Sequence, residues 1–194
     1  MASQAPLAAL IYAAINEQGG YCFYTEVAEH IRDSRGQAMF RGLAKDEVQH
    51  YQILMAQHAS LSAGAGWLSV EAALQTSVPP MVPPIATATL EVPADQRDAV
   101  PQERLFPKAA EAIAQIDAGT GDIDAVDMAL VAEQRGYDIY ARAAQSATDG
   151  NAKAAYHILM QEEGRHFEWL QRSRGYLVSN NTYWDDSELP FFEG

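Results

Sequence analysis

The chain has 194 residues, 48% hydrophobic and 20% charged, which suits a globular protein with one well-formed core. Its 26 acidic residues outnumber 13 basic ones, and the net charge of −13 opposes binding to nucleic acid or to anionic membrane surfaces. A single cysteine, Cys22, excludes disulfide frameworks, Cys-x-x-Cys zinc sites and iron–sulfur sites.

Apolar spacing with Ala, Leu, Gln and Glu enrichment predicts four long helices. The first runs from Ser3, an N-cap with Pro6 in the first turn, to Arg32. Its apolar run from Pro6 to Ile15 is too short to span a membrane and lacks the basic flank of a signal peptide, so a soluble, cytoplasmic protein is expected. Cys22 reads as a small core residue of this helix. Asp33-Ser34-Arg35-Gly36 is a turn signal, and the second helix covers Gln37 to Leu61 before Ser62-Ala63-Gly64-Ala65-Gly66 breaks it. A short amphipathic helix is expected over Trp67–Leu74. Val78-Pro79-Pro80-Met81-Val82-Pro83-Pro84 opens an extended crossover reaching Pro107, followed by a second short helix over Lys108–Ile116. The third long helix starts at Asp122 or Asp124 and ends near Ala147. Thr148-Asp149-Gly150-Asn151 is a turn, and the fourth helix covers Ala152 to Arg174. The tail from Tyr176, with Tyr183, Trp184, Asp185, Asp186, Phe191 and Phe192, is aromatic and acidic and is expected to pack over the helices or a neighbouring subunit.

The expected architecture is therefore all-α. One domain spans 1–194, with hairpin 3–61, a long Pro-rich crossover 62–120, hairpin 121–174 and tail 175–194. A crossover of this length lets the second and third helices lie other than as antiparallel neighbours.

The hairpins carry one pattern twice. Glu17, Tyr24, Glu47 and His50 recur as Glu133, Tyr140, Glu163 and His166, each displaced by 116 positions (17 to 133, 24 to 140, 47 to 163, 50 to 166). The pairs Glu17/Glu47 and Glu133/Glu163 are each centred on a turn, about 15 residues or roughly 22 Å of helix away from it. All four Glu should therefore meet at one level. Glu and His three apart share a helix face and can serve one metal centre. Of the five His, His30, His58 and His157 have Val27, Met55 and Ala154 at that offset, so only His50 and His166 qualify.

Two Glu and two Glu-x-x-His on four helices form the ligand set of a di-metal carboxylate bundle. Four buried carboxylates without cations would repel and protonate, whereas two divalent ions would neutralise them. This oxygen-rich set with two imidazoles suits Fe or Mn, with Zn as a substitute. Glu17 and His50 are assigned to one metal, Glu133 and His166 to the other, and Glu47 and Glu163 as bridges. Glu162 lies about 100° around the helix from Glu163 and is not expected to be a ligand. Tyr24 and Tyr140, two turns from Glu17 and Glu133, either hydrogen-bond ligand carboxylates or pack as buried aromatics.

These motifs, matched residue by residue across all four helices, resemble the rubrerythrin-type branch of the ferritin-like di-iron proteins. The resemblance implies a ferritin-like four-helix bundle, often a homodimer. It also implies two Fe ions that reduce hydrogen peroxide or O2 with an external electron donor, or that oxidise Fe2+. There are two departures. One Cys cannot build the rubredoxin-like domain of full-length members, so electrons must come from elsewhere. The extra Glu those members carry one turn beyond the third-helix ligand is replaced by Gly136, matched by Gly20. The rival expectations are a ferroxidase that handles iron, a dimanganese catalase-like site, and a non-enzymatic iron-binding module.

Overall fold

The computed structural model describes residues 4–81, 90–101, 103–118 and 121–184. Among them every α or β element is an α-helix: α1 Gln4–His30, α2 Ser34–Ser62, α3 Val70–Gln75, α4 Ala109–Ala118, α5 Asp122–Ser146 and α6 Gly150–Asn180. None of these helices is long and apolar enough to cross a membrane. α1 packs along α2 and α5 along α6, each pair joined by a short turn. The all-α expectation and both hairpins are thus present.

Two aspartates decide where the second helix of each hairpin begins. Asp33, extended at φ −70°, accepts from the backbone N–H of Arg35 at 2.8 Å and Gly36 at 3.2 Å. Asp149, at φ −81°, does the same for Asn151 at 2.8 Å and Ala152 at 3.0 Å. An N-cap carboxylate satisfies the free donors of the first turn, so α2 starts at Ser34 and α6 at Gly150 rather than at Gln37 and Ala152. The residues that read as turn signals are caps and first-turn residues, and the caps obey the same repeat.

α6 also runs past the expected stop at Arg174. Nothing between Gly175 and Asn180 breaks the helix, Leu177 is buried, and the end comes at Asn181, which takes the left-handed conformation (φ 54°) and donates to the Leu177 carbonyl. The tail therefore begins six residues later than expected. Its first aromatics pack as anticipated: Tyr183 is fully buried and Trp184 is 4% exposed. Asp185, Asp186, Phe191 and Phe192 lie outside the described residues.

In the crossover, the expected Trp67–Leu74 helix is α3. It is capped by Ser69 and leaves Trp67 and Leu68 in irregular chain held by the Gln57 side chain, which pairs with Leu68 N at 2.8 Å and Leu68 O at 2.9 Å. The Lys108–Ile116 helix is α4. Residues 94–99, expected extended, form a 3-10 helix, since no proline interrupts them. Residues 82–89 lie outside the described residues.

The buried apolar side chains form two clusters. One gathers Phe23, Tyr24, Phe40, Leu43, Phe106 and Trp169; the other includes Leu10, Tyr51, Leu54, Tyr140 and Leu159. The tail seals the first cluster where Tyr183 lies on Gly36. A Cβ at Gly36 would sit 2.3 Å from the Tyr183 ring, too close for any accommodation by that rigid group. Gly36→Ala should dislodge the Tyr183–Trp184 strap and destabilise the fold by about 1–3 kcal/mol, the usual cost of overpacking. Chemical denaturation followed by tryptophan fluorescence measures this, and an unchanged midpoint would contradict the packing.

Candidate metal centre

The fold brings the six expected ligands to one place. Glu17, Glu47, Glu133, Glu163, His50 and His166 are all no more than 4% exposed. Each hairpin contributes three of them, and the contacts cross between hairpins. His50 Nδ1 lies 3.1 Å from Glu17, 3.5 Å from Glu47 and 3.3 Å from Glu163. His166 Nδ1 lies 3.4 Å from Glu133 and 3.9 Å from Glu47. The two imidazoles stack with centroids 5.5 Å apart.

The donor atoms of the described residues fall into three sets, each within 4.8 Å: Glu17, Glu47, His50 and Glu163 in the first, Glu47, Glu133 and His166 in the second, and His50, Glu162 and His166 in the third, so that Glu162, not expected as a ligand, stands within reach of both imidazoles. Glu47 belongs to the first and second, the position of a bridge, whereas Glu163 belongs to the first alone. Within the second set, His166 Nδ1, Glu47 Oε1 and Glu133 Oε2 are buried and have no hydrogen-bond partner. Leaving such atoms unpaired is costly unless something else ligates them. Two carboxylate oxygens and an imidazole nitrogen converging on one point, none with a hydrogen-bond partner, fit a cation.

Electrostatics separates the four carboxylates into two kinds. Burial pushes Glu47 and Glu163 up, and repulsion from the neighbouring carboxylates (Glu17 for Glu47, Glu133 for Glu163) keeps both well above the ordinary range. Burial also pushes Glu17 up, but hydrogen bonds with Glu47, His50 and Tyr140 outweigh it and leave the group lowered. Burial pushes Glu133 up too, but the charge of the neighbouring His166 above all, with Glu163 and Tyr24 adding to it, leaves this group lowered as well. Burial pulls His50 and His166 down, yet the carboxylates around them raise both. Without metal, crowding favours protonation at Glu47 and Glu163, while Glu17 and Glu133 favour the charged form and the imidazoles beside them favour the cation.

The tyrosines are hydrogen-bonded to carboxylates, and they do so across the hairpins. Tyr24 from α1 donates to Glu133 Oε1 of α5, and Tyr140 from α5 donates to Glu17 Oε1 of α1. Each bond fixes one carboxylate oxygen and ties the two halves of the molecule together.

Gly20 and Gly136 have a steric role. A Cβ at Gly136 would lie 2.8 Å from Glu163 Oε2 and 3.1 Å from its Cδ. At Gly20 it would lie 3.1 Å from Glu47 Cδ and 3.0 Å from the Phe106 ring. The two glycines leave the space that the Glu47 and Glu163 carboxylates occupy, and no further side chain fits there.

Other residues of the site carry weaker sequence signals. Asp46 accepts from His166 Nε2 at 3.2 Å and from Arg165 at 3.0 Å. It thereby turns Nδ1 toward the carboxylates, the usual way a ligating imidazole is oriented. Its repeat mate is Glu162, which pairs with Arg165 and lies against both imidazoles. An acid directly before each Glu-x-x-His, at Asp46 and Glu162, was the available signal. Arg165 also stacks over Trp169 at 4.9 Å. Phe106 is held over Gly20 by a neighbouring hydrogen bond, Leu105 N to Asn16 Oδ1 at 3.1 Å; a single aromatic in irregular chain carries no pattern to find. A cleft of about 700 Å3 between α2 and α6 reaches His50, with Asp46, Glu162, Arg165 and Trp169 along it. Cys22 takes no part: burial and Glu26 raise its thiol to about 11, so it is not a thiolate at neutral pH.

Comparison with family models, with curated proteins and with solved structures yields no match to this chain.

Two outcomes follow. Gly136→Ala should leave the fold intact but displace Glu163 and weaken metal binding about 10–100-fold, as disturbed ligand support generally does; isothermal titration with Fe2+ or Mn2+ measures it. The second concerns pH. Glu47, Glu163, His50 and His166 all have raised values, so the stability they lend is complete below the ordinary values of 4.5 and 6.5 and is lost as pH climbs through their folded-state values. Glu17 and Glu133 act oppositely; their contribution is present above 4.5 and is lost as pH falls through their lowered values. The Tm of metal-free protein should thus decline as pH rises above 4.5 and again above 6.5, and saturating metal should flatten that decline. A parallel decline with and without metal would show that these groups do not meet the ion.

Proposed function

We propose that this chain is a ferritin-like, rubrerythrin-type di-iron oxidoreductase that reduces hydrogen peroxide or O2 with electrons from an external donor. The observation that carries the reading is the pair of donor sets sharing Glu47, with three orphaned buried atoms facing one another in the second. Glu17 and His50 would hold one ion, Glu133 and His166 the other, and Glu47 and Glu163 would bridge. Iron fits the donor chemistry, Mn is the nearest substitute, and Zn could occupy the same ligands. The reading includes a homodimer, which the assembly size tests.

Bound there, the iron pair supplies one electron per ion to the O–O bond of the substrate. The protein's own residues prepare the site for this. Two divalent ions would displace protons from the groups whose proton affinity is raised, Glu47, Glu163, His50 and His166, so metal entry would release protons and offset the buried carboxylate charge. Tyr24 and Tyr140 keep one oxygen of Glu133 and Glu17 engaged, leaving the other for an ion. Asp46 holds the His166 ring in register. The apolar clusters on either side keep bulk water from the centre.

A second reading, a ferroxidase taking Fe2+ as substrate, is favoured by one feature: Asp46 and Glu162 line the cleft leading to His50 and would draw cations inward. Turnover of Fe2+ by a closed multi-subunit shell, seen by light scattering, would favour it, and a dimer would not. Tight metal binding without turnover of peroxide, O2 or Fe2+ would leave an iron-binding module.

Elemental analysis should find two irons per chain. Glu47→Ala and Glu163→Ala should each lose at least one ion and nearly all peroxide reduction, with helicity by circular dichroism unchanged. Full metal content and turnover in both variants would refute the assignment.

A further inference from the structure

The two halves of the site are alike, but the aromatic paths leading away from them differ. From the Glu17 side, Tyr140 stacks on Tyr156 with centroids 6.4 Å apart and planes at 24°. Tyr156 in turn meets Trp67 edge-on at 5.6 Å. Tyr140 is 3% exposed, whereas Tyr156 and Trp67 are only partly buried, so the path runs from the centre to the surface. Trp67 is held in place at its carbonyl by Asn151 at 3.1 Å and through the next residue by Gln57.

On the Glu133 side the repeat offers an internal control. Tyr24 corresponds to Tyr140, and the residue corresponding to Tyr156, 116 positions earlier, is Phe40. Tyr24 packs on Phe40 at 5.9 Å and 32°, nearly the geometry of the other half. Phe40 then meets Tyr183, which is fully buried. Phenylalanine is far harder to oxidise by one electron than tyrosine or tryptophan. One path is thus built throughout of oxidisable rings and reaches a partly exposed ring, whereas the other is interrupted by the inert Phe40 before it reaches Tyr183 and the 4% exposed Trp184.

We propose that Tyr140, Tyr156 and Trp67 form a one-electron relay between the carboxylate centre and the surface, and that an external one-electron donor delivers its electrons at Trp67. The use of those electrons rests on the peroxide-reducing reading above: each H2O2 takes two electrons and two protons to give two H2O, so the relay works twice per turnover, oxidising the donor by one electron each time. Within a transfer, Tyr140 gives up an electron toward the centre and its phenolic proton moves along the existing hydrogen bond to Glu17. An electron arriving from Trp67 through Tyr156 restores the ring as Glu17 returns the proton. Trp67, once oxidised, is reduced by the donor. In turnover a hole moves outward from Tyr140 and is filled by the donor at Trp67; in metal-free protein, where no centre takes an electron, the carboxylate beside Tyr140 makes it the better resting place, so a hole placed on Trp67 travels inward along the same rings.

That direction can be read without metal or peroxide. Pulse radiolysis with azide radicals oxidises exposed tryptophan, and the ensuing tryptophan-to-tyrosine transfer is followed optically. Wild-type protein should show a first-order, concentration-independent conversion. Trp67→Phe should abolish that phase, and Tyr156→Phe, which copies the inert half, should slow it at least tenfold with unchanged circular dichroism. Phe40→Tyr should leave the rate as it is. A wild-type rate in Tyr156→Phe, or a phase that survives Trp67→Phe, would overturn the relay. Because the measurement needs no turnover, a positive result beside an inactive metal-loaded protein would sink the peroxidase reading and leave the relay standing.

Discussion

Four carboxylates lie within a few ångströms of one another in the interior of this protein, and the rest of the structure answers that constraint. Left as four anions in a low-dielectric pocket they would drive the hairpins apart. The fold meets this with two imidazoles at contact distance and two tyrosine hydroxyls, and the crowding raises the proton affinity of Glu47 and Glu163. Protons and cations answer the same buried charge, so an ion taken up here would displace protons.

The same constraint explains why the hairpins are crossed rather than merely packed. Were each Tyr to bond the carboxylate on its own helix, the polar ties between the halves at the centre would be reduced to those of His50 with Glu163 and of His166 and Arg165 with Asp46. With Tyr24 on Glu133 and Tyr140 on Glu17, and with His166 reaching Asp46, opening the interface strands buried polar groups on both sides. Polar pairing thus fixes the register of two halves whose apolar clusters would tolerate some sliding. The glycines at 20 and 136 belong to this account, because a Cβ at either would push a carboxylate out of the layer it occupies.

Much of this was legible in the chain. Four helices, two hairpins and the meeting of six side chains follow from apolar spacing and a duplicated Glu…Tyr…Glu-x-x-His. These are long-range regularities that local ambiguity does not erase. What escaped was set by single residues in context. Asp33 and Asp149 look like turn residues until their carboxylates are seen capping the next helix. The end of α6 is a left-handed Asn181 without a glycine to announce it. Asp46 acts on the imidazole of the other hairpin, which spacing within one hairpin cannot reveal, and Phe106 reaches the site from irregular chain.

The departures from the repeat are as informative as the repeat. Among the equivalent positions that kept their residues are those that answer the buried charge, Glu, His, Tyr, Gly and the Asp caps, alongside core positions such as Leu43/Leu159 and Leu54/Leu170. Several that differ stand one step out from the charge. Phe40 faces Tyr156, Asp46 faces Glu162, and Phe106 covers the Gly20 side. In the oxidoreductase reading proposed above, substrate and electrons would arrive by different routes. Placing the asymmetry in the surrounding shell keeps it away from the carboxylates at the middle. The α2–α6 cleft, which reaches His50, and the Tyr156–Trp67 contact are the two features that would serve them.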